Sequence, residues 1–199
     1  MTTLAKGFSV NIRSALLRFL VNAWLFLGLW LMVALQLAGA ASDNDSSAPP
    51  PKTPTQSCPA GEIYDSKTRK CQSAKHGAFS DRERYAAVRE LAYAGRYESA
   101  GSVLDAMTQQ ESAEVLTYRG FLLRKAGQFE AAARYYKLAI AADPFSVLAR
   151  SYLGQGHVET GNLVAARALH EEIVTLRGTG SWAEVSLRQA IATGQTSAY

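Results

Sequence analysis

Two stretches of the chain superpose when one is slid by 34 residues: Gly120 falls on Gly154, Gly127 on Gly161, Ala132 on Ala166, Ala133 on Arg167 and Tyr136 on His170. A fixed period of this length holding two helical patterns marks a chain of helix hairpins, each burying its apolar face only against its neighbours. The expected fold class is therefore all-α, an α-solenoid of about three helix-turn-helix units closed by a C-terminal capping helix. Function in such a chain resides in a surface.

Helical periodicity begins near Asp81, read as an N-cap, and breaks at Gly95, Gly127 and Gly161, which suit helix C-termini. The spacing predicts helices over 81–94 and 97–109, 113–126 and 129–142, and 147–160 and 163–176, with a cap at 181–193. The units run about 81–112, 113–146 and 147–180, within a domain spanning 81–193. In the middle unit, small Gly120 and Ala132 let the backbones approach, Leu123, Phe129 and Tyr136 fill the gaps, and Pro144 stops the second helix. The third unit repeats this with Gly154, Gly161, Leu163 and Ala166, but it lacks the proline. The first is the most degenerate, aligning Leu91, Gly95, Tyr97, Ala100 and Leu104.

Gly120, Leu123, Gly127, Phe129, Ala132, Tyr136, Ala139 and Pro144 stand at relative spacings that resemble those of the tetratricopeptide repeat (TPR) family. The resemblance implies a concave face lined by the first helix of each unit, where a protein or peptide partner docks. On that frame the expected contacts are Tyr85, Arg89 and Ala92, then Thr117, Phe121 and Arg124, then Ser151, Gln155 and Val158, and on the cap Val185 and Gln189. Phe121 with Arg89 and Arg124 beside it suits a peptide carrying acidic side chains or a C-terminal carboxylate. The competing reading packs Phe121 against the next hairpin. The Lys and Asn of the family's carboxylate-clamp subclass are replaced here by Thr117, Phe121, Ser151 and Gln155, so a chaperone-tail adaptor is not implied. His157 and His170 take aromatic positions of the pattern and read as packing histidines, since two imidazoles without further ligands do not make a metal site.

The segment 1–41 reads as a signal peptide or a signal anchor. Lys6, Arg13 and Arg18 precede the uncharged run 19–42, and Ala38, Gly39 and Ala40 offer a small-residue cleavage pattern. That run is also long enough to cross a bilayer, for which about 20 residues suffice. With the basic end held in the cytoplasm, both readings export the rest of the chain. The expected location is the periplasm, with or without anchoring to the inner membrane. Residues 42–56, rich in Ser, Asp and Pro, read as a semi-rigid, disordered linker.

Cys58 and Cys71, the only two cysteines, bracket a turn-prone Asp65-Ser66-Lys67 within a small hairpin at 57–73. An even count behind an export signal favours a disulfide, and the spacing fits neither a Cys-x-x-Cys redox site nor a zinc site. The formal net charge of +4 contains the three leader cations, so the remainder carries 18 basic against 17 acidic residues, or +1, and nucleic acid is disfavoured as a partner. No nucleophile elbow, phosphate loop, metal-binding His-Glu pair or dinucleotide turn stands in the sequence. The reading is accordingly no enzyme and no cofactor, but an envelope protein-interaction scaffold. The alternative is a cell-wall or glycan-associated structural protein that uses the two-cysteine hairpin; both leave the oligomeric state open.

Overall fold

A computed structural model describes Pro49, residues 58–176 and residues 178–196. The leader at 1–41 and the linker at 42–56, Pro49 apart, lie outside the described residues. The fold is mostly helical, with strands β1 (Glu62–Asp65) and β2 (Lys70–Ser73) preceding α1 (Asp81–Tyr93), α2 (Tyr97–Leu104), α3 (Ala113–Lys125), α4 (Phe129–Ala142), α5 (Val147–Glu159), α6 (Leu163–Thr175) and α7 (Trp182–Thr193).

The strands form an antiparallel hairpin in which Tyr64 faces Cys71 and Asp65 faces Lys70. Asp65 organises its turn by accepting from the Lys67 N–H at 2.9 Å and from the Thr68 hydroxyl at 2.8 Å. The expected Cys58–Cys71 disulfide is present.

The helix boundaries arise from two recurrent devices. Serines cap the N-termini of α1, α3, α5 and α7: the side chains of Ser80, Ser112, Ser146 and Ser181 each accept a backbone N–H in the first turn. Ser80 rather than Asp81 is thus the first cap, and Glu83 returns the bond to complete a capping box. The turns after α1, α3 and α5 are alike. Gly95, Gly127 and Gly161 take φ of +77°, +75° and +78°, and the next residue donates back to Leu91, Leu123 and His157 at 2.9, 2.9 and 2.8 Å. Only glycine adopts that backbone without strain, so the chain reverses there and the next helix folds back on the last.

One expected boundary is corrected. α2 ends at Leu104 rather than at 109, because the segment 105–110 is drawn to other partners. Asp81 accepts from the N–H groups of Thr108 and Gln109 at 2.8 and 3.2 Å, and the Gln110 amide donates to the Leu104 and Met107 carbonyls at 3.1 and 2.6 Å. Met107 then buries itself in the core. After α4, Pro144 stops the helix as expected, and Asp143 accepts the Phe145 N–H at 2.9 Å.

Helices pack pairwise, α1 on α2, α3 on α4 and α5 on α6, and α7 lies against α5 and α6. Gly120 lies under the Tyr136 ring, and Ala132 and Ala166 are fully buried, as the small-residue spacing predicts. Gly154 meets Leu187 of α7, and Gly156 meets the Phe129 ring. Almost all of α5 is buried between its neighbours, which is why it carries Gly, Ser and Ala on several sides.

Candidate functional site

α1, α3, α5 and α7 place on one shared side a run of aromatic rings with cations between them. On α1 the period of four sets Tyr85, Arg89 and Tyr93 in line. α3 contributes Tyr118, Phe121, Arg124 and Lys125; α5 contributes Tyr152, and α7 contributes Trp182.

The rings meet mostly edge to face. Tyr85 and Tyr118 are 5.5 Å apart between centroids, Tyr93 and Phe121 5.9 Å, Phe121 and Tyr152 5.2 Å, and Tyr93 and Trp182 6.2 Å. Tyr97, at the start of α2, reaches the same Phe121 ring at 6.2 Å. A hydroxyl relay runs through the cluster: Tyr118 donates to Tyr93 at 3.0 Å, and the Tyr93 hydroxyl bonds that of Tyr152. Burial pushes the Tyr118 and Tyr93 hydroxyls above the usual tyrosine range, so both stay protonated.

Arg124 is embedded in this array. Its guanidinium pairs with Glu159 at 2.6 Å and lies 5.8 and 5.6 Å from the Phe121 and Tyr152 centroids. Lys125 stands 5.5 Å from the Phe121 centroid, and its pKa is lowered by burial and by Arg124 beside it. The Glu159 carboxylate also accepts from the Thr196 hydroxyl at 2.6 Å, which ties the C-terminal tail to the pair.

The eleven expected groove contacts divide unequally. Tyr85, Ala92, Thr117, Phe121, Arg124, Ser151, Gln155 and Val158 are buried, Arg89 and Val185 are half-buried and Gln189 is exposed. The expectation of an open surface at those eight positions is corrected. Phe121, fully buried, sits among four tyrosine rings. Ser151 donates to the Ala183 carbonyl at 2.6 Å, and the Gln155 amide donates to Ser151 and Ser186 at 3.3 and 3.2 Å, so both hold α7 against α5. The sequence frame missed Tyr93, Tyr118, Lys125, Tyr152 and Trp182; the i, i+4, i+8 run from Tyr85 was the available signal for Tyr93.

The two histidines serve different neighbours. His157 packs edge-on against Phe129 at 5.2 Å, and burial holds its pKa below the ordinary value. His170 Nε2 lies 2.8 Å from Glu184 Oε1. Among the described residues no group of three metal-ligating side chains comes together.

The disulfide hairpin is docked rather than free. Ile63 and Ala74 belong to the same buried core as α1 and α2. Between hairpin and α1 lies a cleft of about 130 Å³ lined by Glu62, Tyr64, Glu90 and Arg96 among others.

The chain matches no protein-family model, no curated protein and no solved structure.

Proposed function

We propose that this protein is a TPR-like α-solenoid that works outside the cytoplasm as a docking scaffold and binds an extended peptide segment of a protein partner along the side shared by α1, α3, α5 and α7. The aromatic run with half-buried Arg89 and Lys125 at its edge supports this reading. The rings of Tyr85, Tyr93, Tyr118, Phe121 and Tyr152 are buried and stiffen that side from beneath, while the partly exposed Trp182 with Arg89 and Lys125 suits an extended peptide that carries an apolar or proline side chain beside carboxylates. Arg124 is engaged by Glu159 and lies within the array rather than at its edge. The buried Phe121 acts from beneath, fixing the rings around it.

Export rests on the leader pattern at 1–41 and is consistent with the disulfide, which persists in oxidising compartments. The alternative role in glycan binding is less favoured, because Ile63 and Ala74 on the hairpin are used against the helices.

The test is selection of peptides from a random library on the purified protein, then affinity measurement on an Arg89→Glu, Lys125→Glu variant of unchanged thermal stability. Enrichment of acidic peptides that lose at least tenfold in affinity on the variant supports the reading. Equal affinity for both proteins removes it.

A further inference from the structure

Among the described residues no helix pair precedes the first, and the hairpin occupies that end. Cys58, Ile63, Ala74 and Phe79 are all buried, and Ile63, Ala74 and Phe79 share one core with Val88 and Leu91 of α1 and with Val103 and Leu104 of α2. Two buried or half-buried arginines fasten it through backbone carbonyls. Arg84 of α1 donates from Nε to the Ala74 carbonyl at 2.8 Å and from Nη2 to that of His76 at 3.3 Å, while Arg96, at the start of α2, bonds the Cys58 carbonyl. α7 closes the opposite end of the array with Ala183, Leu187 and Ala190. The two ends are thus sealed by different means: one by a helix that continues the packing, the other by a pair of four-residue strands.

Strands that short do not hold together in water without further support. The covalent closure across a sequence separation of 13 removes much of the freedom the open hairpin would regain. We infer that the Cys58–Cys71 hairpin is a redox-conditional cap, which completes the packing of α1 and α2 only while its disulfide is closed. Closing the bridge moves two electrons and two protons from the Cys58 and Cys71 thiols to a disulfide-bearing oxidant, which leaves as a dithiol. A reducing compartment therefore keeps the first helix pair uncapped, and the array is finished only where such an oxidant is present. With the bridge open, Arg84 and Arg96 lose the carbonyls they hold, which couples the sulfur chemistry to both helices.

The inference is tested on the full chain by amide hydrogen exchange, with and without dithiothreitol, and on a Cys58→Ala, Cys71→Ala variant. The expected result is exchange about 100-fold faster in β1, β2 and α1 on reduction, the scale of closing a loop of this length, with α5, α6 and α7 unchanged. Acceleration spread evenly from α1 to α7, wholesale unfolding included, overturns the inference, as does exchange that reduction leaves untouched.

Discussion

Gly120 lies so close beneath Tyr136 that a Cβ at position 120 would stand 2.6 Å from Cε1 of the ring. The ring is fully buried and has nowhere to retreat.

Gly120→Ala therefore sets two effects against each other. Replacing glycine in a helix interior gains about 1 kcal/mol, whereas forcing a methyl into a packed ring contact costs about 1–3 kcal/mol or more. The close approach should prevail, giving net destabilisation in urea unfolding. Adding Tyr136→Leu should recover part of it, and a Gly120→Ala protein more stable than the parent contradicts the packing described.

The pair of Arg124 and Glu159 should respond asymmetrically. Arg124→Ala removes a nearly inaccessible guanidinium that touches two rings and a carboxylate, and should cost about 3 kcal/mol. Glu159 is 35 % exposed in its side chain, so solvent screens its charge and Glu159→Gln should cost about 1 kcal/mol. Equal losses in chemical denaturation count against this assignment.

Asp81 joins the start of α1 to the loop after α2 through Thr108 and Gln109, and Arg84 of its own helix pairs with it. Asp81→Ala should cost about 1–2 kcal/mol, as removal of a cap does, and should release the amides of Thr108 and Gln109 to exchange. Unchanged protection at those two amides would show that the loop is held by Gln110 and Met107 without Asp81.

Acid should act on α7 through Glu184. Burial pushes this carboxyl's pKa up, but His170, the Gly180 N–H and Arg188 outweigh burial and hold it below the ordinary 4.5. A depressed folded-state pKa means stability that is present above 4.5 and lost as pH falls through the lower folded value. Stability measured from pH 6 down to about 3 should decline with a steeper acid limb in the parent than in Glu184→Gln. Superimposable limbs remove Glu184 as the cause.

Much of the helical layout was legible because it is written in local chemistry. Gly95, Gly127 and Gly161 punctuate three identical turns, and Pro144 marks a fourth boundary. The end of α2 was not legible, since no glycine or proline stands there and the chain is drawn away by Asp81, 27 residues earlier. The inner side was legible only in part. Helical period selects a face, on which it grouped Tyr85, Arg89, Phe121 and Arg124, but it does not report what lies over that face. Contacts such as Tyr93 with Tyr152, separated by 59 residues, have no local signature. The docking of the hairpin through Arg84 and Arg96 was hidden for the same reason, as its partners are backbone carbonyls.

The bond between the Tyr93 and Tyr152 hydroxyls joins α1 directly to α5. A file of helix pairs that touch only in order behaves like a coil spring, each joint yielding a little. A rivet from the first pair to the third takes up that slack, so α1 and α5 are held to one another and compliance is left to the segments beyond either end.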